Sequence, residues 1–320
     1  MRLFDLLDFR AREHPDVEFA TQGVRVLTYR QAADESHRIA HALVELGLEH
    51  GQRVAIISKN CIEYILLYFG AARAGVVPVP LNYRLAPPEW RYIINDAGAA
   101  GLLISPGFID SVDGIRAEMP SVRRTLTFGP ERAPGWEHFG DLAARMPATR
   151  VDRDVTPDDD VYQMYTSGTT GHPKGAVITH RALTTNMAQN ALHCHGPVGE
   201  RSLVVTPLFH AATVPSTFSP IWWGGSMLIH ERFDPNAVVR SLDEERVGFA
   251  MLVPAMILAC LTGVTDVAER KYEHLRQIYY GASPIAEQTL RQALSVFKCQ
   301  FVQTYGLTEA TQLVTVLSHE

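Results

Sequence analysis

Apolar residues along this chain follow two rhythms, a helical one of about 3.6 residues and a strand-like one of unbroken short runs, and the two take turns. From Thr28 onward, apolar residues recur at Ala32, Ala33, Ile39, Ala40, Leu43, Val44 and Leu46. That is one face of a helix. Thr28 and Gln31 in TYRQ stand where a capping box would start it, and Gly47 stands where it would stop. RVAII (53–57) reads as a buried strand, and Asn60 is placed to cap a helix through CIEYILLYFGAARAG. VVPVPL, GLLIS and TLTFG read as further strands with helical stretches between. The second half keeps the habit: SLVVTP, SMLIH, GFAMLV and QIYYG are short apolar runs separated by helix-length segments. This alternation predicts an α/β fold, layered βα units with largely parallel strands. No repeat of fixed period runs through it. Residues 129–160, with GPERAPGW, RMPATR and TPDDD, read as surface loops.

One stretch, Val247 to Thr265, carries no charge. Pro254 divides it. A strand (GFAMLV) followed by a helix that opens on proline explains it better than a bilayer span.

Composition then narrows the class. The chain has 320 residues, 46% hydrophobic and 20% charged, the profile of a globular protein with a large core. Its net charge of -6, with no dense Lys/Arg cluster, argues against a general nucleic-acid binder. Its four cysteines form no CxxC pair and read as isolated reduced thiols, which predicts a cytoplasmic setting. Asp5 and Asp8 interrupt the apolar N-terminus, as they would not in a signal peptide.

The densest chemistry is YTSGTTGHPKG, residues 165–175. Ser167, Thr169 and Thr170 supply hydroxyls, Gly168 and Gly171 permit close backbone approach, and Lys174 supplies a charge. A Walker loop needs Gly before the lysine and Ser or Thr after it, but Lys174 follows Pro173 and precedes Gly175. VYQMYTS enters the loop as a strand and GAVITH leaves as one, so a hairpin turn is expected and no helix N-terminus follows the lysine. A polar hairpin turn is the plain alternative.

This string resembles the signature loop of the adenylate-forming superfamily, which includes acyl-CoA synthetases, luciferases and peptide-synthetase adenylation domains. Further stretches resemble that family's motifs in its order: GAARAGVVPVPLNYRL (70–85), TPLFHAA (206–212), YGASPI (280–285) and QTYGLTEA (303–310). The resemblance implies the family's large N-terminal domain, here truncated, with approximate subdomains 50–190 and 1–49 plus 191–320. It implies that the β-barrel subdomain and the C-terminal lid domain lie beyond Glu320, so that the fragment alone is inactive. It implies that a carboxylate attacks the α-phosphorus of ATP to give acyl-AMP, and that coenzyme A then takes the acyl group.

By the same resemblance, Thr166, Ser167, Gly168, Thr169, Thr170, Gly171 and Lys174 grip the ATP phosphates. Gly281, Ala282 and Ser283 wall the adenine, and Tyr305 and Gly306 lie near adenosine. Thr308 bonds the α-phosphate, and Glu309 helps hold Mg²⁺. His210 orients or shields the substrate carboxylate. Ser283-Pro284 also reads as a helix N-cap with proline in the first turn, and both readings can hold together. Ile285 stands where a GxSxG elbow needs its last glycine, which excludes a serine hydrolase. Tyr280 stands where the family commonly has glycine; its ring borders the acyl tunnel or packs in the core. Trp222 and Trp223 are core or pocket wall. His193-Cys194-His195 lacks the second ligand cluster a metal site would need. The apolar run AATVPSTFSPIWW after His210 suits a fatty or related acid, with aryl acids open. Two rivals stand beside an acyl-CoA synthetase: an acyl-AMP ligase serving a carrier protein, and a non-catalytic nucleotide- or acyl-binding module.

Overall fold

The computed structural model describes residues 1–166 and 171–318. The chain divides into two units, Met1–Pro15 with Tyr29–Thr184, and Asp16–Thr28 with Thr185–Glu320.

In the first unit a four-stranded parallel sheet runs in the order Val77–Pro80, Arg53–Ile57, Gly101–Ile104, Arg124–Thr127. One face buries Ala55, Ile57, Val79, Leu102 and Ile104 against Trp90, Ile93 and Ile94 of the helix Pro87–Asp96. The helix Ile62–Ala74 is buried almost all round, as its unbroken apolar sequence requires. Truncating one of its leucines to alanine costs about 2–5 kcal/mol. Its N-cap is Cys61, so Asn60 stands one residue before the position expected of it.

The helix Tyr29–Glu45 lays its buried face, including Ala32, Ser36, Ile39 and Leu43, along Ile62–Ala74. Residues 1–15 and 29–49 fall in the first unit, whereas the resemblance groups 1–49 with 191–320. A short helix, Phe139–Ala144, lies within the stretch expected to be loop. The His138 ring accepts from the Gly140 N–H, and Phe139, Leu142 and Ala143 are buried. Six residues are too few for a helical period to show in the sequence.

In the second unit an eight-stranded sheet has the order Thr315–Leu317, Gln300–Tyr305, Gln277–Gly281, Val247–Leu252, Arg201–Val204, Ser226–Ile229, Glu18–Gln22, Arg25–Thr28. Only the two edge pairings are antiparallel; the strands between run parallel. One face packs Leu203, Ala250, Leu252 and Ile278 under the helices Pro235–Glu244, Pro254–Gly263 and Glu287–Phe297. The charge-free stretch is the strand Val247–Leu252 and the helix that begins at Pro254. Among the described residues no helix is long and apolar enough to cross a membrane. The fold is α/β with mostly parallel sheets, as the alternation predicts.

Candidate functional site

The Gly/Thr loop joins two antiparallel strands of the first unit, Asp160–Thr166 and Lys174–Thr179, with Thr166 opposite Lys174. Ser167, Gly168, Thr169 and Thr170 lie outside the described residues. The lysine thus sits at the start of a strand, not of a helix, and its side chain is exposed without an ion pair to any described residue. Gly171 has a φ of 111° and open space around its α-carbon.

The strand that enters the loop is fixed by a relay of hydrogen bonds. Arg53 Nε donates to Gln163 Oε1 at 3.1 Å, Gln163 Nε2 to the Tyr165 hydroxyl at 3.1 Å, and that hydroxyl to Asp96 Oδ2 at 2.5 Å. Burial and the adjacent carboxylate raise the Tyr165 pKa, so the phenol stays protonated and donating. On the exit side the Tyr92 ring stacks on His172 with centroids 4.8 Å apart, and its hydroxyl donates to the Pro173 carbonyl at 3.4 Å. Helix Pro87–Asp96 therefore buttresses both limbs of the hairpin.

In the second unit, YGASPI and QTYGLTEA leave neighbouring parallel strands, Gln277–Gly281 and Gln300–Tyr305, at their carboxyl ends, with Gly281 opposite Thr304. Carboxyl ends of parallel strands are where open α/β sheets bind ligands. Both glycines are required by contact. A Cβ on Gly281 would lie 2.2 Å from the Thr304 carbonyl oxygen, and one on Gly306 would lie 1.2 Å from that of Gln312. Ala282 adopts φ of 66°, which costs a non-glycine residue about 1–3 kcal/mol and is found most often at functional sites. Ser283 does not cap a helix; Ala286 is the N-cap of Glu287–Phe297, so residues 282–286 are free to form a wall. Tyr305 is 60% exposed, an unusual state for an aromatic ring at a strand end.

Thr308–Ala310 form one 3₁₀ turn, with Thr308 half-buried and Glu309 exposed. The sequence gives no hint of what holds this turn. Asn186, buried on helix His180–His193, donates from Nδ2 to the carbonyls of Leu313 at 3.0 Å and Ala310 at 3.4 Å. Its Oδ1 accepts from the Leu313 N–H at 3.4 Å and from Asn190 Nδ2 at 3.0 Å. Asn190 Nδ2 also reaches Gln312 Oε1 at 3.3 Å. Two buried asparagines one helical turn apart thus clamp residues 310–313. The only sequence signal is the i, i+4 spacing of two poor helix formers in TTNMAQNAL.

His210 lies beyond the carboxyl end of Arg201–Val204, two places along the sheet from Gln277–Gly281. It is exposed, with its ring 4.3 Å from that of Phe209. Successive strand residues point to opposite faces, and Tyr279 and Tyr280 do so here. Tyr280 is 4% exposed and packs with Ile278 and Phe301 beneath the helices, its ring 6.2 Å from Phe301. Tyr279 packs on the other face with Cys194, Phe249, Met251 and the half-buried Trp223. The Tyr279 hydroxyl and Trp223 Nε1 are buried without a hydrogen-bond partner among the described residues. His193 and His195 are exposed on either side of the buried Cys194.

The model of the AMP-binding enzyme family matches residues 7–320. The chain is 34% identical over 320 residues to a fatty acid–[acyl-carrier-protein] ligase of Streptomyces coeruleorubidus, covering 96% of this chain and 58% of that one. It is 35% identical over 313 residues to a feruloyl-CoA synthase of an Amycolatopsis species, covering 96% and 60% respectively. The chain therefore spans about three fifths of the length of these curated relatives. Among solved structures it is similar to the inhibitor-bound N-terminal domain of FACL13 from Mycobacterium tuberculosis. The TM-score is 0.92 at 28% identity, over 99% of this chain and 79% of that one.

Proposed function

This chain belongs to the AMP-binding enzyme family, and we propose from that premise that it serves the ATP-dependent activation of a carboxylic acid to acyl-AMP, with transfer of the acyl group to coenzyme A. The observation that carries the reading is the pairing of Gly281 with Thr304, which sets two close-approach loops side by side at the strand ends.

The residues present fit a nucleotide. In the second unit Gly281 and Gly306 let the strand-end loops close tightly on Thr304 and Gln312, and the exposed Tyr305 ring beside them offers a flat face for a purine and its ribose. Thr308 presents a hydroxyl to an α-phosphate. In the first unit the exposed Lys174, with hydroxyls and N–H groups from Thr166 to Gly171, holds phosphate charge. Both reactants of the first step are anions. Donors fixed before the reaction lower the repulsion between them at no reorganisation cost during it. The relay through Gln163 and Tyr165 keeps the entering strand in place for that purpose. Mg²⁺, when bound, would offset the charge of the phosphates, and Glu309 would give it a carboxylate oxygen. His210 would stand beside the acid's carboxylate.

The acid we propose is fatty or related, since the run from Ala211 to Trp223 offers apolar and small residues and no charged anchor. An aryl acid is the alternative substrate, favoured by the similarity to a feruloyl-CoA synthase. A carrier protein is the alternative acceptor, favoured by the similarity to an acyl-carrier-protein ligase. The test is pyrophosphate release by the full-length protein with a panel of alkyl and aryl acids, followed by competition between coenzyme A and a loaded carrier. Acid-dependent pyrophosphate release supports the reading. Nucleotide binding without release under any acid would leave a binding module in its place.

A further inference from the structure

The first unit holds a cavity of about 210 Å³ lined by Arg2, Phe4, Asp8, His37, Arg73, Arg150, Val151 and Arg153. Four guanidiniums thus face one carboxylate. Two of the four are largely neutralised. Arg2 pairs with Asp5 at 2.7 Å, and Arg73, whose side chain is 3% exposed, makes a two-pronged bond to Asp8 at 2.5 and 3.1 Å. The Arg73 Nε donates to Ser36 Oγ at 2.8 Å. Arg2 and Arg73 also stack on Phe4, with Cζ atoms 4.5 and 5.1 Å from its ring centre, which fixes both heads.

The other two guanidiniums carry surplus charge. Arg153 donates to the Leu48 carbonyl at 3.4 Å, and neither Arg150 nor Arg153 pairs with a carboxylate of any described residue. His37 lies on the cavity's helical wall, and its Nδ1 is buried without a hydrogen-bond partner among the described residues. The groups facing His37 are Arg73, Asp8, Asp34 and His41, and burial together with Arg73 lowers its pKa. So this imidazole is neutral near pH 7 and has one nitrogen with no partner among the described residues.

We propose that this cavity is a binding site for a small phosphate-class oxyanion, held by Arg150 and Arg153 against the fixed heads of Arg2 and Arg73, with the His37 ring on its wall. Guanidinium forks match the tetrahedral oxygens of phosphate, and several of them around one cavity are the usual means of holding it. The volume is below the roughly 300–1,000 Å³ of drug-sized pockets, so it takes the ion or a single phosphoryl group and not a nucleotide. The site lies wholly within the first unit and does not depend on the ligase reading.

The experiment titrates the full chain with inorganic phosphate and, in a second arm, with O-phosphoethanolamine. The background carries Lys174→Ala, which weakens phosphate binding at the Gly/Thr loop, and only the binding lost on removing Arg150 and Arg153 is assigned to the cavity. Calorimetry gives the affinity, and the ¹⁵N signals of the His37 ring report the place. Saturable binding that shifts the His37 signals, weakens as salt is raised, and falls about tenfold or more in Arg150→Ala/Arg153→Ala supports the site. Arg181→Ala/Arg291→Ala, which removes two exposed guanidiniums elsewhere, must leave the affinity unchanged. Tighter binding of the phosphomonoester assigns the site to a phosphoryl group of a larger molecule; equal or tighter binding of the free ion assigns it to phosphate. Because Arg150 and Arg153 lie outside helices and strands, the variant's melting temperature without ligand should match the parent's. No saturable binding of either probe, an unmoved His37 signal, or an equal loss in the control variant would overturn the proposal.

Discussion

The side-chain amide of Asn186 bonds both the carbonyl and the N–H of Leu313, at 3.0 and 3.4 Å, from a helix that lies 127 residues earlier in the chain. This one side chain satisfies the backbone of the segment that follows Thr308 and Glu309, and the segment has few bonds of its own to hold it. Asn186→Ala leaves buried backbone groups unpaired, at about 1–3 kcal/mol. In the full-length protein we expect a lower melting temperature and a fall in kcat for pyrophosphate release with little change in the KM for the acid. Asn186→Asp keeps the acceptor for the Leu313 N–H but sets a buried carboxylate oxygen against the Leu313 and Ala310 carbonyls, so it should melt at or below Asn186→Ala. If Asn186→Ala melts lower but keeps kcat, the clamp serves stability alone.

Gly306 and Gly281 lead to a second expectation. With only 1.2 Å between a Cβ at position 306 and the Gln312 oxygen, Gly306→Ala must push two backbone segments apart. Gly281→Ala meets Thr304 at 2.2 Å, again a backbone oxygen. Both changes should weaken binding of an adenosine nucleotide about tenfold or more, position 306 the more severely, because backbone cannot rotate away as a side chain can. Calorimetry with AMP checks this. Equal AMP affinity in Gly306→Ala and parent would remove the loop from the nucleotide site.

The sequence shows the alternation of layers well, because strands buried on both faces are unbroken apolar runs and stand out against helical spacing. In two of the family motifs the glycines have a packing reason, since Gly281 and Gly306 abut backbone and admit no side chain. Other features were not legible. Helix Phe139–Ala144 has fewer than two turns, too short for a repeating period to show. Ser283-Pro284 has the composition of a helix start, yet strand pairing and the φ of Ala282 carry the chain three residues further before Glu287 begins the helix. Asn186 looks like a surface polar residue, because its partners are distant in sequence. Alternation places Tyr279 and Tyr280 on opposite faces, but only the packing shows that Tyr280 faces Phe301 and the helices.

Lys174 is exposed at the end of its strand and pairs with no carboxylate of a described residue, so its charge is available to a ligand. Lys174→Ala removes one charge-assisted bond while the backbone donors of the loop remain. The KM for ATP in the full-length protein should therefore rise about tenfold, with a smaller loss in kcat. Lys174→Arg should recover part of the affinity. Steady-state pyrophosphate release against ATP concentration measures both, and an ATP dependence identical to the parent's would count against the phosphate role.

His180 couples the first unit's stability to pH. It begins the helix His180–His193, accepts from the Leu3 N–H at 3.1 Å through Nδ1, and meets the Phe4 ring edge-on. Burial lowers its pKa to about 4, so the ring is neutral in the fold and its Nε2 lies buried without a partner among the described residues. The unfolded chain binds this proton near pH 6.5 and the folded chain does not until about pH 4. Between those values the unfolded state holds more protons, so stability is full above pH 6.5 and is lost as the pH falls toward 4. The whole loss would be about 3 kcal/mol. The window from pH 6.5 to 5 lies above the depressed carboxylates Asp5 and Asp159, and His37, His138 and His230, also held below the usual imidazole range by burial, add to the decline within it. His180→Asn keeps an acceptor for Leu3 and cannot charge, so its unfolding free energy should decline less steeply across that window than the parent's. Urea melts at pH 7.5, 6.5, 5.5 and 5.0 make the comparison. Parallel declines in the two proteins would show that another group carries the pH dependence.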